Sequence, residues 1–271
     1  MKTLKESLSL LLPFSQILNP FHDGHPLPQL KDRCKKFLLL AEDLKQDIHG
    51  VTVKVKCQAM LNLMGLDKET TELNGTVYQV NEHDMKTHNT IIIHHQLLLL
   101  VHFREYEKAA KLALSRGNAF EKEHPGLQDG MNEAFLRSIA LYAMARKTKE
   151  RKYKRQANKI RKTIRAWEER GNPNIKLYYW VLCAEDASVN NHFVLAHSFY
   201  DQAINTAART GNLYMAALAN GRYADCLQNE MNAEAYEYRI DETIRFYRRW
   251  GADALVEKLE KLRHMAVGDR S

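Results

Sequence analysis

The stretches "YDQAINTAARTG", residues 200 to 211, and "IDETIRFYRRWG", residues 240 to 251, decide the fold, because each is an amphipathic run closed by glycine and they begin 40 residues apart. Two more segments align with them without gaps, "YEKAAKLALSRG" at 106 to 117 and "IRKTIRAWEERG" at 160 to 171. The copies at 160 and 240 match Ile160 with Ile240, Thr163 with Thr243, Ile164 with Ile244 and Arg165 with Arg245. The copies at 106 and 200 match Tyr106 with Tyr200, Ala109 with Ala203 and Ala113 with Ala207. Apolar residues at steps of three and four make one buried stripe on a helix. Gly117, Gly171, Gly211 and Gly251 stand where a left-handed cap would end each helix, a conformation that glycine enters without steric cost.

A period near 40 residues reads as stacked two-helix units. Between the copies, Trp180, Cys183, Ala184, Ala196, Tyr200 and Ala203 fit a tetratricopeptide pattern. Small residues at 184 and 196 let two antiparallel helices approach, and Trp180 and Tyr200 are expected to fill the space between neighbouring hairpins. The expected fold class is therefore all-α, a superhelix (α-solenoid) of antiparallel helix pairs with tetratricopeptide-like repeats over residues 76 to 271. Tyr236, Ile240, Thr243, Tyr247 and Trp250 follow steps of 4, 3, 4 and 3, which places Trp250 in the core and Arg248 and Arg249 beside it. Leu255, Leu259 and Leu262 restart the stripe as a capping helix over 252 to 264. Residues 1 to 75 read as an N-terminal helical pair, 30 to 44 and 53 to 65. A loose lead-in ending in "NPFHDGHP" precedes the pair, and "LDKETTELNG" at 66 to 75 follows it as a linker. Further helices are expected at about 78 to 102, 104 to 120 and 128 to 147, with "KEHPGLQDG" as the break before the last.

Composition agrees with helix: of 271 residues 45% are hydrophobic, while glycine (12) and proline (6) are scarce. No run approaches the ~20 apolar residues of a membrane span. The four cysteines show no close pair and no regular spacing, so neither a disulfide framework nor a zinc ribbon is implied, and a reducing cytoplasm fits best. The opening "MKTLKESLSLLLPF" has a short apolar run and no small-residue cleavage site after it, unlike a secretory signal.

The net charge of +7 is unevenly spread. Residues 146 to 165 hold eleven Lys and Arg against Glu150 alone, which is +10, so the remainder carries 7 − 10 = −3. Within this segment Tyr153, Ala157, Ile160, Ile164 and Trp167 form the apolar stripe. Arg151, Lys152, Lys154, Arg155, Lys159, Arg161, Lys162 and Arg165 are left as a cationic solvent face. With its aromatics turned inward, the helix suits an acidic protein partner better than bases, and binding of nucleic acid or anionic lipid through residues 146 to 165 is the alternative.

Catalytic patterns do not emerge. His88, His95 and His102 share a helix face but lie roughly 10 Å apart along the axis, too far for one metal, whose ligands need i, i+3 or i+4 spacing. Phosphate-binding glycine loops and the nucleophile elbow are missing, so no cofactor and no enzyme activity are expected. The adjacent carboxylates Glu185 and Asp186, like Asp241 and Glu242, point in different directions around a helix and read as surface charge.

Stacked hairpins present a concave surface from their inner helices, and such surfaces hold peptides or helices of partners. Tyr178, Asn191, Asn220 and Arg222 are the inner-helix candidates for partner binding, with Lys154, Arg161 and Lys162 as the electrostatic face.

The segments "FLRSIALYAMA", "LYYWVLCAEDASVNN", "AHSFYDQAINTAARTGNLYMAALANGRYADC" and "IRFYRRWGADALVEKLEKL" resemble the helical repeat region of very large signalling ATPases. In that family a serine/threonine kinase-like segment and a STAND- or AAA-type ATPase precede a tetratricopeptide-like superhelix, often followed by a GAF domain and a histidine kinase or cyclase. The resemblance spans 128 to 264 most clearly and extends upstream through "CQAMLNLMG" and "FREYEKAAKLA". It covers only the middle of such a protein, so the family's catalytic residues have no positions here. It implies a non-catalytic scaffold or regulatory role in intracellular signalling.

Overall fold

The computed structural model describes residues 15–17, 19–44, 50–119, 128–171 and 175–268, with side chains to residue 263. The first fourteen residues and most of the "KEHPGLQDG" break lie outside the described residues. Among those described, the chain is helical without a strand, apart from an isolated antiparallel bridge between Asn74 and Gln79. The helices are α1 (Leu27–Asp43), α2 (Gly50–Met64), α3 (Glu82–Thr87), α4 (Asn89–His102), α5 (Tyr106–Arg116), α6 (Gln128–Thr148), α7 (Arg151–Glu169), α8 (Ile175–Val189), α9 (Phe193–Thr210), α10 (Leu213–Asn229), α11 (Ala233–Trp250) and α12 (Asp253–Gly268). The expected single helix over 78 to 102 is divided at His88, which closes α3 and precedes α4. Asparagine side chains cap several starts: Asn81 accepts from the Asp84 amide, Asn212 from Met215 and Asn232 from Ala235.

Consecutive helices pack on one another from α6 through α12. The turns at their two ends differ in kind. Gly171, Gly211 and Gly251 follow α7, α9 and α11 with φ of 88°, 72° and 85°. At Gly211 and Gly251 the glycine is the expected left-handed cap, its amide bonded to Ala207 and Tyr247 respectively. Gly117 departs from this, with φ 59° and ψ −137°, a combination that only glycine holds comfortably. At the other end the turns into α5, α7, α9 and α11 each place a non-glycine residue in the left-handed region: Arg104, Lys149, Asn191 and Met231, with φ of 60°, 60°, 60° and 58°.

The helices fall into two populations. The outer helices α7, α9 and α11 bury one stripe each, Tyr153, Ala157, Ile160 and Ile164 on α7 and Ile240, Thr243, Ile244, Tyr247 and Trp250 among those on α11. The inner helices α6 and α10 are buried all round, without interruption from Asn132 to Ala145 and from Leu213 to Ala224. A helix apolar on every side requires cover on every side. For α6 that cover includes α4 and α5, and for α10 the lead-in, so the surface expected to be concave and open is filled by the chain's own N-terminal part.

The lead-in is accordingly not loose over its described residues. Ile17, Phe21 and His22 are buried. The Phe21 ring lies 6.1 Å from that of Trp250, and Asn212 donates to the His22 carbonyl at 3.0 Å. Gly24 rests on the start of α10 so closely that a Cβ would come within 2.5 Å of Asn212 Oδ1 and 2.6 Å of the Leu213 nitrogen. The segment 66 to 75 is likewise pinned rather than free. Asn62 donates to the Glu72 carbonyl, Gln58 donates to Asp67 and accepts from the Val77 and Tyr78 amides, and Leu73 is buried. One core runs from Ile17 to Leu259. Its C-terminal helix α12 packs on both α11 and α2.

Trp180 is a second correction. It is half-buried at the margin of the core, with the Lys176 ammonium 5.1 Å from its ring centroid. Tyr200, expected to fill the space between hairpins with it, is fully buried and stacked on Tyr223 at 4.9 Å.

Candidate functional site

Three groups of polar side chains stand out, two inside and one outside. The first centres on Glu185 of α8, expected at the surface and found fully buried. Arg222 of α10 donates to it through Nε (2.7 Å to Oε1) and Nη2 (2.9 Å to Oε2), Arg146 of α6 adds Nη2 at 2.7 Å, and the Tyr200 hydroxyl of α9 donates at 2.8 Å. Arg222 also reaches Asp225 at 2.6 Å, Asp225 pairs with Arg104, and the guanidinium lies over the Tyr106 ring. Burial pushes the Glu185 carboxyl up, yet Arg146 and Arg222 outweigh it and hold it below its ordinary value. Five helices and a turn are tied through one carboxylate. Such a network specifies packing, because each charge is costly to bury unless every lone pair is matched.

The second group lies where the lead-in meets α4, α6, α10 and α11. His22 pairs with Asp129, which also faces the buried Lys56 ammonium at 3.4 Å. His94 bonds Asn132 at 3.0 Å, and Asn132 donates to the Tyr214 hydroxyl at 3.0 Å. His102 bonds the Tyr247 hydroxyl at 3.1 Å, and its ring packs at 5.6 Å from Trp250. Burial lowers the pKa of all four imidazoles here, to about 4 for His94 and about 3 for His102, well below the ordinary value for His95, and in the same direction for His22. These are neutral core histidines stacked among aromatic rings. No group of three His, Cys, Asp or Glu side chains among the described residues is placed to hold a metal ion.

The third group is the cationic face of α7, and the structure divides it. Arg161 is turned down onto α8, donating to Asp186 at 3.1 Å and to the Tyr142 hydroxyl at 3.2 Å, while Lys154 donates to Asn190. These two brace the helix. Lys152 pairs with Glu150 and Arg165 with Glu169. Arg151, Arg155, Lys159 and Lys162 are exposed, and no carboxylate among the described residues pairs with them. Together with Gln156 and Asn158 they line a shallow, open surface depression.

The seven partner-binding candidates therefore separate. Tyr178 is buried and stacked on Phe135 at 4.7 Å, with burial raising its hydroxyl to about 12. Asn220 is buried, donating to the Ala216 carbonyl and accepting from Arg239. Arg222 belongs to the Glu185 network. All three are at most 4% exposed, because the inner face is covered. Asn191 is exposed, but at a left-handed turn whose amide closes onto Ser188. Lys154 and Arg161 are structural braces, and Lys162 alone of the seven is an exposed, unpaired cation. Lys162 stands in a row with Arg151, Arg155 and Lys159, all read from the sequence as part of the cationic face; steps of 4, 4 and 3 were the signal that sets this row apart from the braces Lys154 and Arg161.

Set beside known proteins, the chain matches no family model, no curated protein and no solved structure.

Proposed function

We propose that this chain is a non-catalytic interaction scaffold: a stack of helix pairs, tetratricopeptide-like in its 40-residue spacing, that holds a cationic row rigidly toward an anionic partner protein. The observation that carries the reading is the division of labour on α7. Arg161 and Lys154 fasten the helix to its neighbour, while Arg151, Arg155, Lys159 and Lys162 stay free of carboxylates. A cation that serves only solubility needs no such arrangement, and a row fixed on a braced helix binds with little loss of backbone freedom.

The resemblance to the repeat region of large signalling ATPases supports a place in intracellular signal transduction, in the cytoplasm. The test is titration with poly-L-glutamate at low and high salt. Wild type is expected to bind at low salt and to weaken as salt screens the row, whereas the variant with Arg151, Arg155, Lys159 and Lys162 changed to Glu binds nothing. Equal behaviour of the two proteins removes the row from the function. Binding of DNA or anionic vesicles in preference to polyglutamate moves the reading to nucleic acid or lipid.

A further inference from the structure

We infer that the row Arg151, Arg155, Lys159 and Lys162 receives a single acidic helix of the partner, an inference that rests on the scaffold reading above and names what the scaffold holds. The first support is metric. Steps of 4, 4 and 3 on a helix set the four cations about 6 Å apart along the axis and about 16 Å from end to end. Carboxylates at i, i+4, i+8 and i+11 of a second helix repeat at the same rise. Two helices laid side by side can therefore match charge for charge over three turns.

The second support is that the other exposed cations of α7 already have carboxylate partners. Before the row stands Glu150, bonded to Lys152 at 2.6 Å, and after it Glu169, bonded to Arg165 at 2.8 Å. Outside residues 146 to 165 the chain is net negative, by the −3 derived from its composition. On α7 only these four cations are therefore left to an outside anion, and their span of about 16 Å suits a short partner segment of three helical turns. The third support is the row's flank. Lys154 holds Asn190, and the turn at Asn190 leads directly into Val194, 87% exposed, and Leu195, 48% exposed. Exposed aliphatic side chains just past the turn that Lys154 holds suit the apolar edge of an amphipathic helix. A single-stranded nucleic acid would use ring faces to stack on, but Tyr153 is buried and Trp167 packs against the core; a duplex needs only the cations, and the experiment separates it.

The experiment uses fluorescence anisotropy with three labelled probes: an alanine-based helical peptide carrying Glu at every fourth position, the same peptide interrupted by two central prolines, and a short duplex DNA. Phosphatidylserine vesicles are tested by co-sedimentation. The helical peptide is expected to bind about tenfold tighter than the interrupted one at equal charge, and to lose binding in R151E/R155E/K159E/K162E and, by a smaller factor, in R155A/K159A. Circular dichroism establishes that both variants are folded, and R209E serves as a control charge change elsewhere. Equal binding of the two peptides overturns the helix inference while leaving an anionic partner in place. Binding of only DNA or vesicles overturns it in favour of a polyanion. Failure of every anion to bind removes the scaffold reading with it.

Discussion

Arg222 clasps Glu185 through two parallel hydrogen bonds, 2.7 and 2.9 Å, with both side chains at most 1% exposed. Because Arg146 shares the same carboxylate, the two ends of the clasp are unequal. Glu185→Met leaves Arg146 buried without its carboxylate and Arg222 with Asp225 alone, and is expected to cost about 5 kcal/mol. Arg222→Met leaves Glu185 with Arg146, and Asp225 with Arg104, and is expected to cost about 3 kcal/mol. Urea denaturation of both variants checks the order. A larger loss for Arg222→Met would mean that Arg146 does not compensate.

Trp250 and Trp180 stand at different depths. Trp250 is fully buried among Phe21, His102, Tyr214 and Tyr247, so Trp250→Ala is expected to cost roughly 3 to 5 kcal/mol. Trp180→Ala, at the core's margin, is expected to cost about 1 kcal/mol. Thermal melts of the two single variants settle the difference, and similar melting temperatures would contradict it.

Met231 is 90% exposed and sits at φ 58°. A side chain held in the left-handed region costs about 1 kcal/mol, which glycine avoids. Met231→Gly is expected to raise stability by about that amount less the extra chain entropy of glycine, a net gain of ~0.5 kcal/mol. Asn191→Gly, where asparagine already tolerates the conformation, is expected to change little. A loss of stability in Met231→Gly would show that the turn is held by the methionine side chain.

Acid should loosen the seam between the lead-in and the inner helices. His94 and His102 have folded values of about 4 and 3, below the 6.5 of a free imidazole. The unfolded chain thus takes up protons first. Stability is complete above pH ~6.5 and falls as pH drops toward 4, by up to ~1.4 kcal/mol per pH unit for each group. Asp129, held well below its ordinary value by Lys56 and His22 against the opposing effect of burial, contributes stability present above pH ~4 and lost below it. The groups facing the seam are His22, His94, His95, Asp23, Asp129 and Lys56. Denaturation midpoints measured from pH 7.5 downward test this, and a His102→Phe variant should show a shallower slope. A flat profile to pH 5 would contradict neutral, buried histidines.

The helical class, the glycine-ended outer helices and the burial of Trp250 were legible because each rests on local periodicity, where a stripe one side wide predicts one buried face. What lay beyond reach was the second cover. "LYMAALANGRYADC" and "FLRSIALYAMA" carry apolar residues on every side of the helix, and a helix of that kind is not suited to line an open groove. Taken seriously, that feature assigns Asn220 and Arg222 to the core. It also demands buried partners for them, which turns Glu185 from a surface acid into the anion at the centre. The lead-in's role could not be read from periodicity, since Phe21, His22 and Gly24 act through contacts with α10 and α11 that lie nearly 200 residues away in sequence. The cationic face was legible as a whole. Its division into braces and free cations depends on Asp186 and Asn190, which only the packing of α7 on α8 brings beneath it.

Hydrogen exchange with and without the acidic helical peptide tests the location of the working surface most directly. Slowed exchange confined to α7 and the adjoining turn at residues 190 to 195, with α6, α10 and residues 19 to 25 unchanged, is the expected result. Protection of α6 or α10, or faster exchange at residues 19 to 25, would mean that the partner displaces the lead-in and binds the inner face, and the cationic row would not be the site.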